Sequence, residues 1–246
     1  MNMPKKPPTT SRDEAMKTQN GIDVFTYTLN DLLGPLNDVE EKYAPKILYV
    51  AGKLPIPLPG PRLSVIGSRG ASAQGIESTK RIVKSLVRNG AIVVSGLARG
   101  IDTAAHRTAI EEGGDTIAVL GTPLDKTYPS ENFELQNLMM EQYMVISQFP
   151  SGHPTRPHDF VIRNRTMALI SNGSIIVEAG DSSGSLHQGW EALRLGRPLF
   201  IWKDIVRNTS LAWPQKMLRY GAVELNDPEE IFDYVPTYEG ILNMAL

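Results

Sequence analysis

The strongest constraint in this sequence is one design used twice in succession over residues 63–106. The first copy runs Leu63-Ser64-Val65-Ile66, turns through Gly67-Ser68-Arg69-Gly70, and continues into a stretch whose apolar residues Ile76, Ile82, Val83, Leu86 and Val87 recur mostly at helical spacing. The second runs Ala91-Ile92-Val93-Val94, turns through Ser95-Gly96-Leu97-Ala98-Arg99-Gly100, and enters a helix carrying Ile101, Ala104, Ala105 and Ile110. Strands alternating with helices predict βαβ units, hence an α/β fold with a mostly parallel sheet. Such sheets bind ligands beyond the carboxyl ends of their strands, where both turns fall.

The same alternation continues downstream. Strands are expected at 116–120, ending in Gly121-Thr122-Pro123, and at 143–147, 173–178, 198–202 and 222–224. Helices are expected at 131–142 with Ser130 or Asn132 near the cap, and at 160–170, 186–195, 211–220 and 227–234. Upstream, residues 1–20 carry Pro4, Pro7 and Pro8 and read as a disordered arm. Residues 21–61 read as a short extension, with a helix at 26–33 and a strand at 44–52, leaving 62–246 as the main domain. The prolines of 147–160 predict a surface loop beside the cleft, carrying His153 and His158.

The turns suggest an anion. Glycine admits close backbone approach, helix-start N–H groups favour negative charge, and Arg69 and Arg99 add phosphate-type donors. Neither turn is a dinucleotide fingerprint or a P-loop. Two in tandem leave phosphate binding and a plain connection equally supported. Arg163 and Arg165, two residues apart on a helix, point to different faces, so one could reach a ligand while the other braces a loop, or both could be surface arginines. The Gly/Ser run 179–185 makes another nest, with Ser183 or Ser185 as helix cap. Glu178 is read as anchoring that loop through backbone N–H groups, with contact to a ligand hydroxyl as the alternative.

Net charge is −2 overall, yet residues 62–107 hold eight Lys and Arg against Glu77 and Asp102, while 224–239 hold six acids and no Lys or Arg. Such separation can steer an anionic partner, although Lys80, Arg81, Lys84 and Arg88 are expected mainly to solvate a helix face. Zero cysteines exclude disulfides and zinc-thiolate sites and suit a reducing cytosol. No apolar run is long enough for a membrane span, and the four histidines have no metal-ligand spacing.

Six stretches together resemble the DNA-processing family called DprA or Smf: VIGSRGAS (65–72), VVSGLARGIDTAAH (93–106), IAVLGTPLDKTYPSEN (117–132), FVIRNRTMALIS (160–171), VEAGDSSGSL (177–186) and RYGAVEL (219–225). The resemblance implies an extended Rossmann-like, doubly wound sheet with helices on both faces. It implies a cytoplasmic homodimer that binds single-stranded DNA, needs no cofactor, and helps load a RecA-type recombinase in natural transformation. The pocket motifs fall on Gly67, Ser68 and Arg69, on Ser95, Gly96 and Gly100, on Arg163, Asn164 and Arg165, and on Ser183, Gly184 and Ser185. Arg99 and Gly121 join this set as neighbouring strand-end residues.

The chain departs from the pattern at Gln148, where a glutamate is usual, and at His187-Gln188, where a Thr-Ala type sequence is typical. It reads as a short form without the winged-helix domain. Two other functions fit the same nest. A phosphoribohydrolase would need an acid where Gln188 stands, since an amide cannot transfer the proton. A nucleotide or NAD-derived signal sensor would use the nest for one phosphate group and an aromatic for the base. Phe149, Phe160 and Trp190 are the nearest rings, each read mainly as packing.

Overall fold

The computed structural model describes residues 21–235 and the backbone of the strand β1 (Met16–Lys17); the expectation for 1–20 otherwise lies outside the described residues. The chain then runs β2 (Asp23–Tyr27), α1 (Leu29–Leu33), α2 (Asp38–Tyr43), β3 (Leu48–Gly52), β4 (Arg62–Gly67), α3 (Ala73–Arg88) and β5 (Ile92–Ser95). It continues through α4 (Ile101–Glu111), β6 (Thr116–Leu120), α5 (Phe133–Gln142), β7 (Met144–Ser147), α6 (Pro157–Ile170), β8 (Gly173–Glu178) and α7 (Ser185–Arg194). It ends with β9 (Leu199–Trp202), α8 (Lys203–Val206), α9 (Trp213–Arg219), β10 (Val223–Leu225) and a 3-10 turn, Pro228–Asp233.

One sheet has the order β1-β2-β3-β7-β6-β5-β4-β8-β9-β10. From β7 to β10 every pairing is parallel; β3, β2 and β1 extend the β7 edge in antiparallel fashion. The fold is α/β and Rossmann-like, as expected. The strand order reverses at β4, whose neighbours are β5 on one side and β8 on the other. A crevice opens outside the strand ends at such a reversal.

Strands covered on both faces carry near-continuous apolar runs, and successive residues of β4 and β8 fill the two faces in turn. Val65, Ile175 and Val177 pack with Ile82, Leu86 and Ala105 of α3 and α4 on one face. Ile66 and Ile176 pack with Met167 and Ile170 of α6 and with Met217 of α9 on the other. A third cluster joins Leu135 and Met139 of α5 to Val24, Ala118 and Val145.

The strand expected at 44–52 is confined to β3, α2 and α8 are additional, and the helix expected at 227–234 is a 3-10 turn; three further differences concern helix starts. Residues 23–27 pair with β3, and Thr28 then opens α1 with a capping box to Asp31, so the expected helix at 26–33 divides into strand and helix. Helix α6 begins three residues early because Pro157 occupies its first turn and the Asp159 carboxylate accepts from the Arg156 N–H at 2.8 Å. His158 therefore sits on a helix, and His153 is held by Asp159 at 2.9 Å and stacks on Phe149, not free in a loop. Helix α7 is capped by Gly184 with no side-chain bond, while the Ser183 and Ser185 hydroxyls bond each other at 2.7 Å.

Candidate nucleic-acid interface

A cavity of about 890 Å³ lies at the β4/β8 strand ends, walled by α6 and the start of α7. Gly67, Ser68 and Arg69 form one rim; Ser183, Gly184 and Ser185 form the opposite one; Arg163 and Asn164 lie between them. These eight sequence-chosen residues converge although 118 positions separate Gly67 from Ser185.

Six others take different places. Ser95 is fully buried, its hydroxyl donating to the Val65 carbonyl at 2.7 Å. Gly96 lies behind Arg163, and a Cβ there would collide with the guanidinium. Gly121 is backed by Phe160 in the same way. Gly100 has φ +71°, and a Cβ on it would run into the Ser68 and Arg69 carbonyls, so it fastens the second turn to the first. Arg99 is exposed, pairs with Glu131 at 2.5 Å, and opens onto a separate depression. Arg165 turns to Glu191 at 3.5 Å, on the side of Tyr43.

Internal carboxylates occupy two of the expected anion nests. Asp102 accepts from the Gly96 and Ala98 N–H groups at 3.1 and 3.3 Å, filling the second turn. Glu178 accepts from the N–H and hydroxyl of Ser72, filling part of the first. Glu178 thus anchors a loop through a backbone N–H as expected, but the loop is the one before α3. The sequence could not show this, because the contact spans 106 residues.

Arg163 is likewise internal. Its Nη1 donates to the Gly96 and Val119 carbonyls, and its Nε to Asn164 at 3.0 Å. Burial lowers its pKa, opposed by the Asp102 charge and reinforced by Arg69. Burial also raises the Asp102 carboxyl, against the pull of Arg163 and the two N–H groups. Exposed cationic character on the walls therefore comes from Arg69, Lys126 and Arg156.

The cavity also holds an aromatic wall. Phe160 lines it, with the Arg69 guanidinium 5.5 Å from the ring centroid and Tyr128 5.3 Å away at 52°. Phe160 thus faces the cleft instead of the core, whereas Phe149 is buried and Trp190 packs on Tyr220 elsewhere. Lys126, Tyr128 and Arg156 were not among the sequence candidates. The signal available for the first two was a strand end followed by a cation and an aromatic, DKTY. The nearby Glu191 is tied to Arg165 and Arg194, and the amide Gln188 is fully buried at the cavity's edge.

Half of the eight cations of 62–107 are ion-paired among the described residues. Arg62 is buried and donates to the Ile170, Leu58 and Pro59 carbonyls; Lys80 pairs with Glu77, Arg81 with Asp227 and Lys84 with Glu112. Glu229 accepts from Ser85 and Asn89. Asp227 and Glu229 thus dock the start of the acidic segment on α3, where Arg81 is the cation they neutralise.

A model of the family described as DNA recombination-mediator protein A matches residues 28–236. The chain belongs to this DprA/Smf family. It is 42% identical over 164 residues to DNA processing protein DprA of Streptococcus pneumoniae, covering 66% of this chain and 57% of that one. It is 35% identical over 190 residues to protein Smf of Escherichia coli, covering 77% and 50%. The chain thus spans little more than half the length of these curated relatives. The crystal structure of the S. pneumoniae DprA superposes with a TM-score of 0.75 at 30% identity, over 87% of this chain and 75% of that one. A DprA from Helicobacter pylori, described for its single-stranded DNA binding mode, shares the fold with a TM-score of 0.69 at 24% identity, over 85% and 94%. Among the described residues no helix is long and apolar enough to cross a membrane.

Proposed function

We propose that this DprA/Smf chain binds single-stranded DNA in the β4/β8 cleft, as a binding protein and not as a catalyst. The observation that carries the reading is the Arg69–Phe160–Tyr128 wall: a guanidinium suited to phosphate lies against rings suited to unstacked bases. Lys126, Arg156 and the Ser182–Ser185 turn supply further donors on the same cavity. Such contacts give affinity and salt dependence without sequence preference. Family membership supports the wider role: a cytoplasmic homodimer that passes the strand to a RecA-type recombinase during DNA uptake.

The test is a salt titration of a fluorescent poly-pyrimidine strand, with a mononucleotide as competitor. Micromolar or tighter binding at low salt is expected, weakening as salt rises. Arg69→Ala should reduce affinity about tenfold or more and flatten the salt slope. Tyr128→Ala, at a half-exposed position, should cost about 1–2 kcal/mol through lost stacking. Tight mononucleotide binding without strand binding would replace this reading with the signal sensor.

A further inference from the structure

Behind the cleft lies a second depression of about 520 Å³, between α3, α4 and the residues before α5. Its charged walls are Lys80, Arg99, Arg107, Glu111 and Glu131. It is separated from the cleft only by the saddle of the two turns. There the Ile101 N–H donates to the Ser68 carbonyl at 3.2 Å, and Gly100 is packed on the backbone of Ser68 and Arg69. Ser68, Arg69 and Ala98 face the cleft, while Arg99 and Gly100 face the depression. A chain leaving the cleft past Arg69 meets Arg99 next.

The electrostatics of this second hollow suit a phosphate chain of moderate affinity. Arg107 is exposed and has no ion-pair partner among the described residues. The Arg99–Glu131 pair is half-exposed on both sides. A solvated pair of this kind is worth little and can be exchanged for a phosphate partner. Lys80 is held by Glu77 through a pair of the same exposed type.

Building on the cleft as a single-strand site, we propose that a longer strand crosses the saddle into this depression. One phosphate displaces Glu131 from Arg99, and Lys80 and Arg107 hold those that follow. Arg99, a cleft candidate by sequence, here serves the same polymer one step farther along. Among the described residues the depression has no aromatic lining, so it takes backbone and leaves bases in solvent.

The test compares two fluorescent oligothymidylates, one about 6 nucleotides long, to fill the cleft alone, and one about 20, to reach past it. Lys80→Ala and Arg107→Ala should leave short-strand affinity unchanged, weaken the long strand about three- to tenfold, and flatten its salt slope by about 0.7 each. Glu131→Gln should strengthen only the long strand. Equal effects on both lengths, or none on the longer, would overturn the extended path while leaving the cleft intact. Arg69→Ala without effect on the short strand would instead remove the cleft reading and this one with it.

Discussion

Arg163, lining the cleft, and His106, buried on α4, illustrate how little room the interior leaves for change. Arg163 satisfies two strand-end carbonyls and faces the buried Asp102 charge. Arg163→Ala would strand a carboxylate without its counter-charge, so about 3–5 kcal/mol of stability should be lost, visible as a large fall in Tm. Loss of DNA binding in that variant would therefore report unfolding as much as a missing contact, which is why Arg69 and not Arg163 tests the site. His106, fully buried on α4, bonds Thr116 through Nδ1 at 2.7 Å. Burial, with the Arg163 charge adding to it, pushes its pKa down to about 3. The unfolded chain, with an ordinary value near 6.5, then binds more protons as the solution is acidified. Stability is complete above about pH 6.5 and declines toward pH 3, by about 2 kcal/mol between pH 7 and pH 5 from this group. The raised Asp102 carboxyl acts in the opposite sense. Denaturant melts across that range should show a flatter profile in His106→Gln than in the native chain; identical profiles would place the acid sensitivity elsewhere.

At the scale of the element, the start of α6 couples stability to the site. The Asp159 carboxylate caps the helix through the Arg156 N–H and also holds His153. Burial would raise this carboxyl, but those two partners outweigh it and hold its pKa below the ordinary value. Asp159→Ala should cost about 1 kcal/mol in thermal unfolding and, by loosening the turn that carries Arg156, weaken strand binding a few-fold. A normal affinity with the lower Tm would show that Arg156 does not depend on this cap. The same element marks what a sequence can and cannot tell. The strand-turn-helix repeat made β4, α3, β5 and α4 readable, because periodicity is local and both copies agreed. Gly67, Ser68 and Arg69 could be paired with 183–185 because both follow strands of one parallel sheet. What escaped were choices made across the sheet: Asp102 and Glu178 filling nests that a turn sequence presents as open, and Tyr128 meeting Phe160 from 32 positions away. A carboxylate inside a nest and a phosphate inside a nest call for the same glycines.

For the whole molecule, topology and charge together decide which polymer fits. The reversal of strand order at β4 creates one concave site lined by two helices, and its aromatic wall sits inside the concavity. Asp227, Glu77 and Glu112 pair with Arg81, Lys80 and Lys84 of α3, and the net charge is −2, so no broad field draws in a duplex. A double helix keeps its bases stacked within and can offer such a cleft only phosphates, whereas a single strand can place a base against Phe160 and Tyr128 as well. Each stacked base adds about 1–3 kcal/mol to the phosphate contacts that the two polymers share. A single strand should therefore displace a labelled strand at concentrations at least about tenfold lower than a duplex of equal length. The gap should narrow in Tyr128→Ala, because what that variant loses is the part of the interaction a duplex never had. Equal competition by the two forms would mean that the rings do not meet bases and that phosphate attraction alone holds the ligand.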